Sequence, residues 1–251
     1  MPQVPSSRKV LVTGSSRGIG HAIAAAFVKE GDTVFLNGRD QSTLDRAVMQ
    51  LGLAGAAEDV TQIDGARRLT STCVSALGGI DVLVCNVGSG ASVQPGEETA
   101  EEWQRVFALN LFATTNMVEA ARPHLVASKG TVVCISSICG VESIPGAPVT
   151  YSAAKAALNA FVRGVSRPLG KSGVRINAIA PGNILFDGSV WGRRMREDAD
   201  AVGTMLEANV ALGKLGEPDD VAQLAVYLAS EKANFVTGSV WTIDGGQVRS
   251  F

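Results

Sequence analysis

The chain has 251 residues, 46% of them hydrophobic, with 22 basic and 24 acidic side chains and a formal net charge of −2. That length and apolar content allow one α/β domain over 1–251 with a large buried core, while thinly spread lysine and arginine offer neither a nucleic-acid face nor a polybasic membrane patch. The opening MPQVPSSRKV lacks an apolar signal core and no later run reaches the ~20 apolar residues of a membrane span, so a cytoplasmic protein is expected.

The first apolar run, KVLVT at 9–13, reads as a strand, and TGSSRGIG at 13–20 leads from it into a helix over IGHAIAAAFVKEG. Strand, glycine turn and helix in that order are the context of a dinucleotide fingerprint. Gly14, Gly18 and Gly20 let backbone approach a pyrophosphate, and the helix N-terminus adds N–H donors and partial positive charge. Ser16, Arg17 and Ile19 complete the loop expected against the cofactor. A second strand, TVFLN at 33–37, runs into NGRD. NAD sites usually end this strand on a carboxylate for the ribose 2′-hydroxyl, whereas NADP sites set arginine against the 2′-phosphate. Gly38 stands in the carboxylate's place, Arg39 follows it and Arg17 projects nearby, so NADP(H) is preferred and NAD(H) stays possible. The alternative leaves both arginines as solvated charges and Asp40 as a helix cap.

LAGAA at 53–57 allows a short third strand, with Asp59 and Val60 at its end where an adenine would rest. DVLVC at 81–85 is the fourth, closed by Asn86 and Gly88; ordinary turn chemistry is the alternative for these four residues. Helical spacing then runs through AEEWQRVFALNLFATTNMVEAARPHL, and TVVCIS at 131–136 is a buried strand that delivers Ser136 or Ser137 beside a helix containing Tyr151. Further strands follow at VRINAIA (174–180) and SVWTID (239–244), with a helix signalled by EPDDVAQLAVYLAS before the last. Strand and helix in repeated alternation imply a single-domain, Rossmann-type, doubly wound parallel sheet with helices on both faces. The one irregular stretch, 181–210, falls where such sheets bind ligands, and a lid over about 183–210 is expected from it.

Cys73, Cys85, Cys134 and Cys139 show no CxxC spacing and sit in apolar strings, and His21 and His124 are the only histidines. Buried thiols without metal or disulfide are expected. In YSAAK, Tyr151 and Lys155 stand one helical turn apart and share a face. A fixed cation favours the ionised phenol and brings it closer to neutral operation, which suits Tyr151 to general acid/base work.

With these motifs in order, the chain resembles the short-chain dehydrogenase/reductase family, close to its 3-oxoacyl-carrier-protein reductase branch, over essentially its whole length. TGSSRGIG matches the family's TGxxxGxG, CNVG at 85–88 its NNAG, Asn110 its helix asparagine, Ser137 its serine and YSAAK its YxxxK, with PG at 181–182 and DGG at 244–246 also in place. The resemblance implies that Tyr151 exchanges a proton with the substrate oxygen, Lys155 lowers the tyrosine pKa and binds the nicotinamide ribose, and Ser137 donates a hydrogen bond to the carbonyl oxygen. It further implies that Asn110 holds a helix kink and a water leading to Lys155, and that Pro181, Gly182 and the backbone at Ile184 flank the cofactor. Cys85 departs from the first asparagine of NNAG, and Phe186 stands where many relatives carry threonine.

Ile138, Ile144, Phe186 and Trp191, with Ser137 and Tyr151, are expected to line a mostly apolar substrate pocket; packing of the lid against the core is the alternative for Phe186, Trp191 and Met195. Arg193, Arg194 and Arg196 either meet a carrier-linked acyl group or form a solvated helix face. The leading expectation is an NADP(H)-dependent oxidoreductase acting on a small-molecule ketone or secondary alcohol. An NAD-dependent sugar or polyol dehydrogenase and a dinucleotide-binding sensor without turnover are the alternatives. The resemblance also implies a homotetramer built on helices at about 100–126 and 151–170 and the last strand, with the tail GGQVRSF placed to reach a neighbouring subunit.

Overall fold

The computed structural model describes residues 7–249, so residues 1–6, at the head of the opening segment, and the last two residues of the tail lie outside the described residues. Seven strands form one sheet: β1 (Lys9–Val12), β2 (Thr33–Gly38), β3 (Ala54–Ala57), β4 (Val82–Cys85), β5 (Thr131–Ile135), β6 (Arg175–Pro181) and β7 (Val240–Ile243). Their order is β3-β2-β1-β4-β5-β6-β7 and every neighbouring pair is parallel. All the strands read from the sequence are present, including the short third one.

Side chains alternate across the sheet, and the two faces have different cores. Leu11, Phe35, Leu83, Val132 and Ile176 face α3 (Ile63–Leu77), α5 (Ala113–Ser128) and α6 (Val149–Gly170). Val10, Val12, Val34, Val84, Val133 and Ile179 face α1 (Gly18–Lys29), α2 (Gln41–Leu51) and α9 (Pro218–Ala229). Burial on both faces is why these strands read as unbroken apolar runs. No helix among the described residues is long and apolar enough to cross a membrane.

One expectation is met and one corrected. The helical stretch at about 100–126 is interrupted at Asn110, where the resemblance implies a kink: α4 (Ala100–Phe107) passes into a π-helical turn at Ala108–Phe112 before α5 begins. The stretch 181–210 is not irregular, since it carries α7 (Val190–Glu197) and α8 (Ala199–Asn209). Ser189 caps α7 through the Gly192 N–H at 2.8 Å, and Asp198 caps α8 through the Ala201 N–H at 2.9 Å. The two helices bury Trp191, Met195, Val202, Met205 and Leu206 chiefly against each other, so neither shows the long stripe of a helix lying on a sheet.

Chain order reverses between β1 and β4, and the loops beyond their carboxyl ends therefore diverge to open a crevice. The glycine loop and the segment after Cys85 both lie there.

Candidate active site

Beyond β1 the chain turns through Thr13–Arg17 into α1. Gly14 and Gly18 have φ of +61° and +58°, a region that side chains disfavour. A Cβ on Gly20 would collide with the Gly14 carbonyl and with Asn86 Nδ2. Asn86 braces this loop from β4: Nδ2 donates to the Thr13 and Gly14 carbonyls at 3.1 and 2.9 Å, and its backbone N–H donates to Thr13 Oγ1 at 3.0 Å. Arg17 occupies the N-cap of α1 without a side-chain capping bond, which leaves first-turn N–H donors for an anion.

The ends of β2 and β3 are tied by Asn37, whose Nδ2 donates to the carbonyls of Gly38, Ala56 and Glu58 at 3.1–3.2 Å. Gly38 is buried, and a Cβ on it would sit 3.3 Å from Ser16 Oγ, so no carboxylate occupies this strand end. Arg17 and Arg39 are exposed, and neither forms an ion pair among the described residues. Asp40 does cap α2, accepting from the Thr43 N–H at 2.8 Å, and hydrogen bonds from Ser42 and Thr43 hold its carboxyl below the usual range. Asp59 accepts from Thr61 N and Oγ1 at 2.9 and 2.7 Å, two residues past β3, and Val60 is buried in the core. A tight glycine cradle, uncapped helix donors and two unpaired guanidiniums fit a phosphate-bearing dinucleotide.

Asn110, Ser137, Tyr151 and Lys155 converge beside this cradle. Asn110 is fully buried in the π-helical turn; Oδ1 accepts from Ser89 N at 3.0 Å, and Nδ2 donates to the Ser89 and Val106 carbonyls at 3.1 and 3.0 Å. Gly88 lies between Asn110 and Lys155: a Cβ there would be 2.8 Å from Asn110 Oδ1 and 3.1 Å from Lys155 Nζ. Lys155 is buried and donates to the Ile135 carbonyl at 2.8 Å, with Nζ 5.9 Å from the Tyr151 ring centroid. Ser137 Oγ accepts from Cys139 N at 3.1 Å and stands near enough to the Tyr151 phenol to favour its ionised form. Its rival Ser136 donates instead to Asn159 Oδ1 at 2.6 Å, away from the tyrosine.

The expected lowering of the tyrosine pKa is absent from this arrangement. Burial pushes Tyr151 up to about 12 against the opposing influence of the Ser137 hydroxyl, and burial brings Lys155 down to about 8. Desolvation of the phenolate is the largest influence on Tyr151 and outweighs the stabilisation that Ser137 gives it.

Gly182, after β6, packs so closely on the DGG turn that a Cβ would stand 2.7 Å from Asp244 Cβ. Ile184 is buried and bridges Gly216, and Leu185 N donates to the Gly216 carbonyl at 2.8 Å. The Phe186 ring lies over Gly18, where a Cβ would come within 2.5 Å of it. Ile138 is buried directly after Ser137 and Ile144 is partly buried in the loop before α6. Trp191 packs inside the α7–α8 pair with Arg194 stacked 4.9 Å above its ring, as the lid-packing alternative has it, and also lines a cavity between these helices with Arg194 and Met205. Arg193 and Arg196 pair at 3.8 and 3.5 Å with Glu197 and Asp187 on an exposed face. Cys85 faces Cys134 in the β4–β5 register, and both thiols are buried and free.

Sequence reading passed over two polar groups, Thr150 directly before Tyr151 and Glu102 on α4, which are joined through Ser92 of the loop after β4. Thr99 caps α4 through the Glu102 N–H at 3.2 Å, so TAEE carries the signature of a capping box. The Glu102 carboxylate, however, turns to Ser92 and Arg105.

The family model described as enoyl-(acyl carrier protein) reductase matches residues 14–247. L-fucose dehydrogenase of Mus musculus is 37% identical over 246 residues, covering 96% of this chain and 88% of that one. The 3-oxoacyl-(acyl-carrier-protein) reductase of Chlamydia muridarum is 32% identical over 247 residues, covering 96% and 97%. Among solved structures, L-sorbose reductase from Gluconobacter frateurii, complexed with NADPH and L-sorbose, superposes with a TM-score of 0.91 at 28% identity, covering 98% of each chain.

Proposed function

The chain belongs to the short-chain dehydrogenase/reductase family, and from that premise we propose that it is an NADP(H)-dependent oxidoreductase acting on a ketone or secondary alcohol, with Tyr151 as general acid and base. The observation that carries this reading is the convergence of Tyr151, Ser137, Lys155 and Asn110 on one point beside the glycine cradle. When bound, the nicotinamide group supplies or accepts the hydride. The loop 14–20, the backbone at Gly88, the segment 181–184 and Lys155 hold it; Arg17 and Arg39 engage the 2′-phosphate; Asp59 and Val60 flank the adenine.

At neutral pH Tyr151 carries its proton, as a group titrating near 12 must, and so starts as the acid that reduction of a carbonyl needs. Ser137 stands beside the phenol and donates to the same substrate oxygen as charge develops there. Lys155, near 8, exchanges protons within the physiological range and can restore the tyrosine's proton after turnover. Ile138, Ile144 and Phe186 border the substrate. The lid is the α7–α8 segment, and the assembly is a homotetramer.

Fluorescence titration with NADPH and NADH tests the cofactor assignment. Arg39→Ala should weaken NADPH binding about 10- to 100-fold, the worth of a charge-assisted hydrogen bond, and leave NADH unaffected. Equal affinity of the parent for both cofactors, insensitive to the substitution, would remove the assignment. Similarity to L-fucose dehydrogenase favours a second reading, an NAD-dependent sugar or polyol dehydrogenase. Turnover of L-fucose with NAD but of no ketone with NADPH would place it first.

A further inference from the structure

Behind Tyr151 runs a chain of four side chains from three segments. Thr150, fully buried in the first turn of α6, has its hydroxyl 2.6 Å from Ser92 Oγ. Ser92 Oγ donates to Glu102 Oε1 at 2.6 Å. Arg105 closes on the same carboxylate with two bonds of 2.7 Å, to Oε1 and Oε2, and its Nη2 also reaches the Ala91 carbonyl at 3.0 Å. An ionised carboxylate only accepts, so it takes the single Ser92 proton, and Thr150 must then donate to Ser92. The chain thus has one direction, from Thr150 through Ser92 to Glu102, and a charged end.

Its ends matter for the site. The loop 88–92 is held at one end by the paired bonds between Ser89 and Asn110 and at the other by this chain. Between the two anchors Gly90 runs against Tyr151, where a Cβ would lie 3.8 Å from the ring. Thr150 is the residue before Tyr151 and shares its helical turn. Two side chains of α4 reach this loop, Arg105 through the Ala91 carbonyl and Glu102 through Ser92, and only the Glu102 contact continues through Ser92 to Thr150 at the start of α6.

We propose that Thr150, Ser92 and Glu102 are positioning residues for the reaction: they lock the loop 89–92 against the first turn of α6 and so set the orientation of the Tyr151 phenol toward the substrate oxygen. The inference rests on the reading of Tyr151 as the proton donor. Glu102 stays ionised, held near 2 by Arg105 and Ser92, so the lock does not loosen at working pH.

Ser92→Ala and Thr150→Val, each removing one hydroxyl, are compared with Thr150→Ser, which keeps it. With NADPH and a turned-over ketone, the first two should lower kcat about tenfold with KM and NADPH affinity unchanged, as a displaced catalytic group does, and should move the alkaline limb of the pH profile. Thr150→Ser should restore both. Unchanged kcat and limb in folded Ser92→Ala and Thr150→Val would overturn the proposal. Amide hydrogen exchange over 89–92 is read in parallel on Glu102→Ala, without substrate. Faster exchange there supports the lock, and parental protection overturns it, even if the parent transfers no hydride and the functional reading itself fails.

Discussion

Tyr151 titrates high because its surroundings desolvate the phenolate more than Ser137 stabilises it. Tyr151→Phe removes the proton donor while keeping the ring, so kcat should fall about 10²- to 10⁴-fold while NADPH titrates as in the parent. Retained turnover would assign the proton to another group. Lys155 makes a separate prediction about stability. It titrates near 8 in the folded chain against 10.5 ordinarily, so between those values the unfolded chain binds more protons and stability rises with pH. Tyr151 acts oppositely and later, since its raised value lets the unfolded chain lose its proton first between 10 and 12. In the same range the buried thiols Cys73, Cys85 and Cys139, whose raised values let the unfolded chain ionise first, lower stability as pH rises, so urea midpoints between about pH 7.5 and about pH 9.5 should fall more steeply in Lys155→Met than in the parent. At this scale the types and spacing of Tyr151 and Lys155 were legible, but the sign of the tyrosine shift was not. Spacing shows that two groups share a helical face, whereas desolvation depends on Ile135, Cys139 and everything else folded over that face.

The π-helical turn at Ala108–Phe112 shows how an element serves a site. The helix opens there around the buried Asn110, whose side-chain amide holds Ser89 from both sides while also donating to the Val106 carbonyl of its own helix. Asn110→Ala strands the Ser89 N–H and C=O, and a loss of about 1–3 kcal/mol is expected in chemical denaturation, with faster exchange at Ser89. Stability equal to the parent's would show that water replaces the amide at no cost. Sequence periodicity could not find the break, because Trp103, Val106, Met117 and Val118 keep helical spacing on either side of it. The α7–α8 pair was hidden for a different reason. Its apolar residues pack mutually, so the short helices lack a stripe long enough to stand out, although Ser189 and Asp198 are ordinary caps. By contrast, α9 announced itself through Pro218 in its first turn and the capping box of Glu217 and Asp220.

For the whole molecule, the proposed tetramer needs surfaces that remain uncovered on one chain. Phe112 and Val149 are 48% and 44% exposed on the side of α5 and α6, and Phe235, ahead of the edge strand β7, is 99% exposed. Light scattering should find a species four times the 26.0 kDa chain; a monomer at micromolar concentration would remove that reading. The sequence by itself determined the parallel sheet, the glycine cradle and the missing carboxylate at Gly38. Each of these rests on a local cause: unbroken apolar runs, positive φ, or the absence of a side chain at one strand end. Only the tertiary structure decided that Ser136 turns to Asn159, that Trp191 packs between the lid's own helices, and that Thr150, Ser92 and Glu102 stand in line. Those outcomes depend on which distant segments come together, and hydrogen-bond direction and desolvation exist only once they do.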